Sequence, residues 1–326
     1  MCLLKNSYII LHLAFITVSQ VIAAEKGHSS ALAKIATTAT KQVVQNYALS
    51  SFTNSGLLFR YRLGDVSGRS LAAGDDSEFV STTFSMTPTY SSVNNHVQPI
   101  FVKGGVSLVI IGLERFDELE LKATGVTLTI DRTSVDVSEA STSGNTKATG
   151  DGFTLAPYHV FELPDGYLVD VSAGIGKSKL STVSSTASAR PSADRAFVSV
   201  GGSKIVAWGQ ASQIQYKGTL SYSMDDVDAY VQSDGTAVTA NSTRLRQISI
   251  ATTFTKRMEL MSPFIKVALN HNQLTTRGDG VQPREHKNTP VLSTGLNFSK
   301  EKLYGNVTYI KERDKRNLQV YIGLRY

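Results

Sequence analysis

The chain has almost no cysteine. Its one cysteine is Cys2, so the body of the protein carries no thiol. That excludes disulfide staples and thiolate metal sites. It suits a protein that crosses an oxidising compartment without forming wrong bridges. Long hydrophobic runs are missing too. The longest apolar stretch after the N-terminus, Val106 to Leu113, is interrupted by Ser107 and Gly112, well short of the ~20 residues that a spanning helix requires. The histidines His12, His28, His96, His159, His271 and His286 show no metal-ligand spacing. Phosphate-cradling loops are absent, since Gly174-Ile175-Gly176 sits inside a strand pattern, where small residues mark packing or a bend. No cofactor is expected. The net charge is +6, but the lysines and arginines are scattered and form no stripe with aromatics. Nucleic acid is therefore not an expected partner.

What is present begins with a leader pattern. Lys5 supplies a charged start, Tyr8 to Val18 an apolar core, and Val21-Ile22-Ala23 a small-residue processing site. This predicts a secretory signal peptide over 1–23. About 300 residues follow, one large domain or two small ones. Over Glu25 to Phe52, Ser29 or Ser30 offers an N-cap, and Ala31, Leu32, Ile35, Ala36, Ala39, Val43 and Tyr47 fall near helical spacing. Thr37, Thr38 and Thr40 weaken that helix. The segment 24–55 is expected to be a helix or linker, either threaded through a wet lumen or extended outside it.

From Gly56 onward the period changes to two. Leu57, Phe59, Tyr61 and Leu63 alternate with Leu58, Arg60 and Arg62. Val80, Phe84 and Met86 alternate with Ser81, Thr83 and Ser85. Val126, Leu128 and Ile130 alternate with Thr127, Thr129 and Asp131. A slip of phase near Gly125 suggests a bulge. Tyr167, Val169, Val171, Ala173 and Ile175 share one face, as do Ala196, Val198 and Val200 before an expected turn at Gly201-Gly202. The last ten residues put Leu318, Val320, Ile322, Leu324 and Tyr326 on one face, with Asn317, Gln319, Gly323 and Arg325 between them and Tyr321 out of pattern. Such alternation averages out in composition, and the mean hydropathy is only −0.08.

The connectors are of two kinds. Long polar segments are expected at Gly64–Ser77, Thr133–Asp151, Leu180–Asp194, Asp225–Ser242 and Asn272–Asn288. Tight turns are expected near Arg115–Glu118, Pro164–Gly166, Gly201–Ser203, Lys256–Glu259 and Ser299–Lys302. With Tyr326 set in the periplasm, parity places the long segments outside the cell and the turns inside. That asymmetry belongs to outer-membrane barrels, and a soluble β-sandwich does not require it. The expected fold is all-β: a transmembrane antiparallel up-and-down barrel over 56–326, with the N-terminal helix in or near its lumen. Twelve strands are expected, or fourteen if Val97–Lys103 is a separate strand.

A closing amphipathic strand Leu318-Val320-Ile322-Leu324-Tyr326 on a terminal aromatic resembles the assembly signal of bacterial outer-membrane barrels. A signal peptide, one helix and a barrel of about 270 residues are together similar to the autotransporter β-domain, the translocator of that family. The resemblance implies a non-enzymatic monomer in the bacterial outer membrane. Its partners would be the lipid bilayer, the barrel-assembly machinery and periplasmic chaperones. The order departs from the family in having no passenger before the helix. Some members cut themselves at an Asn-Asn pair in the pore helix. Here Asn46-Tyr47 stands in the helix and Asn94-Asn95 in a connector, so no self-cleavage is expected. The alternatives are a small porin and a loop-mediated adhesin.

Three constellations carry chemistry. Asp75-Asp76, Asp225-Asp226 and His271 would resemble a rim protease if they converged, although surface loops are rich in solvated acids. Arg277-Gly278-Asp279 lies in an expected outer loop and matches the tripeptide that host integrins recognise, a surface ligand for the adhesin case. Arg60 and Arg62 are expected to face the lumen, since a charge facing lipid costs a few kcal/mol at mid-depth. There they would pair with acids such as Asp170 or tune anion passage.

Overall fold

A computed structural model describes residues 80–326, apart from 98–99, 118–119, 140–144, 184–187, 210, 236, 257, 259, 278–283, 301 and 314. Twelve long strands make one closed antiparallel barrel. They are β1 (Val80–Val97), β2 (Ile100–Asp117), β3 (Lys122–Glu139), β4 (Asn145–Leu163), β5 (Tyr167–Val183), β6 (Ser192–Ala207), β7 (Ser212–Val227), β8 (Asn241–Lys256), β9 (Met261–Arg277), β10 (Arg284–Lys300), β11 (Leu303–Glu312) and β12 (Lys315–Arg325). Each pairs with its sequence neighbours, and β1 pairs with β12 to shut the ring. At the seam, Tyr326 N–H donates to Thr82 O at 2.9 Å and Thr82 N–H donates to Tyr326 O at 3.2 Å. Closure leaves no free edge among these strands, which is what a sheet needs where no water can satisfy it.

The wall is inverted relative to a soluble protein. On β1 the residues Thr83, Ser85, Thr87, Thr89 and Ser91 are buried, while Phe84, Met86 and Tyr90 are exposed. Ile175 is 69% exposed, Ile250 67% and Leu220 60%, whereas Thr129, Thr154 and Ser199 are buried. An apolar face this continuous would aggregate in water and is stable against lipid. On β12 the outward set runs from Leu318 to Tyr326. Eight residue steps at ~3.4 Å each, tilted by ~40°, give a band roughly 20 Å tall, near the apolar height of outer-membrane barrels. Aromatics Tyr167, Trp208, Phe254 and Tyr326 stand exposed where that band meets the rim with the short turns. Trp208 packs edge-on to Phe254 at 5.5 Å.

Among the described residues the barrel has twelve strands, not fourteen. The stretch Val97–Lys103, considered as a strand of its own, is not one: Val97 ends β1 and Ile100 begins β2. The helix expected over Glu25–Phe52, the strand expected over Gly56–Leu63 and the loop Gly64–Ser77 lie outside the described residues. No bulge occurs at Gly125. The β2–β3 register runs unbroken from Asp117↔Lys122 to Ile100↔Glu139. The apparent slip is the turn itself, where Leu121 takes φ 46. Gly201 and Gly202 lie inside β6, and the turn falls at 208–211, where Gly209 has φ +72. The stretch Thr133–Asp151, expected as a loop, is mostly strand. The β3–β4 ladder continues to Ser138↔Asn145. Backbone pairing does not need apolar side chains, so it runs on beyond the membrane band.

Candidate functional site: the lumen and its two rims

The turns at 118–121, 164–166, 208–211, 257–260 and 301–302 share the rim where Tyr326 lies. The chain also enters β1 at that rim. The opposite rim carries the connections at 98–99, 140–144, 184–191, 228–240, 278–283 and 313–314. The longest of these, 228–240, forms a small hairpin of Tyr230–Val231 with Ala237–Val238. It leans back onto the wall: Ser233 N–H donates to Ser188 O, and Ser188 N–H donates to Ser233 Oγ, both at 2.9 Å. Tyr230 packs against Val135, Ala148, Leu180, Ala193 and Val227, all on the lumenal parity of their strands.

Inside, β3–β6 are tied together by charge. Arg195 on β6 reaches across two strands to Asp131 on β3, Nη1 to Oδ1 at 2.5 Å, with both side chains almost fully buried. The path crosses Gly176 on β5, opposite Arg195, and Gly152 on β4, opposite Asp131. A Cβ on Gly152 would stand 2.7 Å from Arg195 Nη2, so only glycine leaves room for the guanidinium. Asp170 on β5 forms an ion pair with Lys217 on β7 at 2.8 Å. Lys266 on β9 lies within electrostatic reach of that pair. Tyr158 Oη donates to Glu114 at 2.7 Å and its ring lies over Gly125, directly opposite in the register. Phe197 covers Gly174 in the same way. Tyr304 covers Gly323, and its hydroxyl accepts from Tyr321 at 3.1 Å.

Beside these ties the lumen offers hydrogen-bonding groups that are not paired. Thr83, Thr87, Thr89, Thr129, Thr133 and Thr154 hold hydroxyls without a partner among the described residues, and so do Nε and Nη2 of Arg195. Orphaned buried groups of this kind mark a surface meant to receive polar atoms. Next to them runs an apolar ladder, Val106, Leu108 and Ile110.

The residues singled out from the sequence divide as follows. Leu318, Val320, Ile322, Leu324 and Tyr326 all lie on the outward parity of β12. Tyr321, out of pattern, is a lumenal residue that is buried. Asp170 does face the lumen, but its partner is Lys217. Arg60 and Arg62 lie outside the described residues, as do Asp75, Asp76, Gly278 and Asp279. Arg277 ends β9 at the long-connection rim. Asp225 is buried on the lumenal face while His271 is exposed on the outer one, so the structure does not bring them together. Sequence reasoning missed Asp131, Arg195 and Lys217. Their lumenal parity was readable from alternation, but which strands faced each other across the lumen was not.

A closed, inside-out β-barrel with an apolar belt and a polar lumen defines an outer-membrane barrel. The family model for the autotransporter β-domain matches residues 109–290, and the chain belongs to that family. Among solved structures, the barrel is similar to the translocator domain of the autotransporter NalP from Neisseria meningitidis, at 17% identity and a TM-score of 0.57. That match covers 86% of this chain and 98% of that one. It is also similar to the transport unit of the autotransporter AIDA-I from Escherichia coli, at 12% identity and a TM-score of 0.57 over 86% and 98% of the two chains. The β-domain of the Bordetella autotransporter BrkA matches at 15% identity and 0.54, over 76% and 99%. No curated protein sequence matches the chain. The protein is an outer-membrane barrel of the autotransporter translocator type, located in the bacterial outer membrane.

Proposed function

We propose that this barrel is a non-enzymatic monomer whose lumen holds a polypeptide segment, the stretch 24–55 of its own chain. A signal peptide over 1–23 directs the chain to the envelope, and the barrel domain spans 56–326. The observation that carries this is the lumenal lining: unpartnered threonine hydroxyls alongside the aliphatic ladder Val106–Leu108–Ile110. A peptide offers N–H, C=O and apolar groups in similar proportion, so such a wall can receive one. Entry of the chain into β1 at the Tyr326 rim supports the same reading. A segment arriving from the other rim must pass through the lumen to reach it. Leu318, Val320, Ile322, Leu324 and Tyr326 act as the signal read by the barrel-assembly machinery, after periplasmic chaperones deliver the chain. The long-connection rim is extracellular. Arg277 ends β9 at that rim, and the tripeptide that it opens with Gly278 and Asp279 is where a host-surface ligand would bind.

Planar-bilayer conductance tests the lumenal segment. Deleting residues 25–51 should turn a nearly closed barrel into an open pore, and an unchanged conductance would sink the proposal. Sidedness is tested by cysteine labelling. Ala240→Cys should react with a membrane-impermeant maleimide on whole cells, and Ala211→Cys only after permeabilisation. The reverse pattern would invert the orientation. Loss of Tyr326 should leave unassembled protein in the periplasm; a normal heat-modifiable barrel would remove the residue from assembly.

A further inference from the structure

Just above the apolar belt, on the long-connection side, each strand presents one outward position where the lipid tails end. In the sector β3–β6 these positions are neutralised in pairs. Arg132 on β3 meets Asp151 on β4 at 3.6 Å, and Lys177 on β5 meets Asp194 on β6 at 3.1 Å. In the sector β8–β12 the same level is held by Arg246 above Ile248, His271 above Leu269, Lys311 above Tyr309 and Arg316 above Leu318. Lys311 and Arg316 stand directly opposite each other in the register. The His286 ring lies 5.9 Å from that of His271, whose Nδ1 is 2.7 Å from Asn288 Oδ1. Among the described residues none of these five side chains has a carboxylate partner. The nearest outward carboxylate along the arc is Asp226 on β7, opposite Ser242. Two like charges face each other at Lys311–Arg316 with no compensating acid among the described residues, which costs stability unless an anion sits between them.

We propose that this arc binds the phosphate groups of lipid headgroups in the leaflet that surrounds the long-connection rim, one at Lys311 and Arg316 and another at Arg246, four strands from Arg316. Depth and chemistry both point to a lipid. The cations lie at the level where a headgroup begins, and the apolar residues directly below them would hold its acyl chains. Arg246 and Arg316 can fork onto phosphate oxygens, and Lys311 adds a point charge. Basic side chains beside a membrane are general attractors of anionic lipid. Which leaflet this is rests on the extracellular placement of that rim, and the labelling pair above tests it separately from the binding.

The full chain, refolded in neutral detergent, is titrated with a diphosphorylated acylated glucosamine disaccharide and read by native mass spectrometry. The wild type should hold the lipid. The variant Arg246→Gln with Lys311→Gln and Arg316→Gln should bind on the order of a hundredfold more weakly, about fivefold for each cation removed. The control Arg132→Gln with Lys177→Gln, from the paired sector, should bind as the wild type does. Heat-shifted migration verifies folding; should the triple variant fail to fold, Arg316→Gln alone should show the fivefold loss. Equal binding by wild type and variant, equal binding of the dephosphorylated lipid, or displacement by equimolar inorganic phosphate would each overturn the proposal.

Discussion

The β2–β6 sector and the β8–β10 sector share one backbone pattern and differ in what their side chains bind. In β2–β6 charged groups are tied across the wall, Asp131 to Arg195, Glu114 to Tyr158, Arg132 to Asp151 and Lys177 to Asp194, while the hydroxyls of Thr129, Thr133 and Thr154 among them have no partner among the described residues. In β8–β10 the lumenal groups include amides and hydroxyls that are half-buried, such as Gln247, Ser249, Asn270 and Asn272, and the outer boundary is cationic. The Gln247–Asn272 bond at 2.8 Å is the clearest tie there. The difference teaches that closure of the ring and rigidity of the ring have separate sources. Backbone pairing closes it everywhere, while side-chain ties brace mainly one side.

The comparison yields graded tests by denaturant unfolding of the refolded barrel. Asp131→Ala strands a buried guanidinium and should cost about 3–5 kcal/mol, whereas Gln247→Ala in the loose sector should cost about 1 kcal/mol. Comparable losses would erase the distinction between braced and loose sectors. Ile250→Arg puts a charge on the lipid face near mid-depth, an expected loss of about 2–4 kcal/mol. Ser249→Arg, one residue away on the lumenal face, should be far milder, and the reverse order would contradict the assigned faces. Gly125→Val drives a side chain into the Tyr158 ring and should cost about 1–3 kcal/mol. Gly218→Val, with nothing within 4 Å of its Cβ position, should be nearly silent. The smallest effect is Tyr321→Phe, which removes the hydroxyl bond to Tyr304 and should cost about 1 kcal/mol.

Much of the fold was legible because a strand reports its two faces directly in alternation. Phe84, Leu128, Val171, Val198 and Leu318 all face outward as their spacing predicted. Strand ends were less legible. At Thr133–Asp151 the apolar rhythm stops at Ile130 while the hydrogen-bonded ladder goes on. At Gly201-Gly202 two glycines looked like a turn, yet Gly201 is there to admit the Asp170 carboxylate. The lumenal site was least legible. Arg195 finds Asp131 across two intervening strands, a separation in sequence of 64 residues, and no local pattern encodes that meeting.

Alternation alone determined which residues meet lipid and which meet the lumen, because side chains in a strand point to opposite faces with period two. It also determined the inward place of Tyr321 between outward Val320 and Ile322. Only the tertiary structure decided the number of strands, the β1–β12 seam and the partners inside. Those depend on how a curved sheet closes, which sets the distance between residues on strands that are not neighbours.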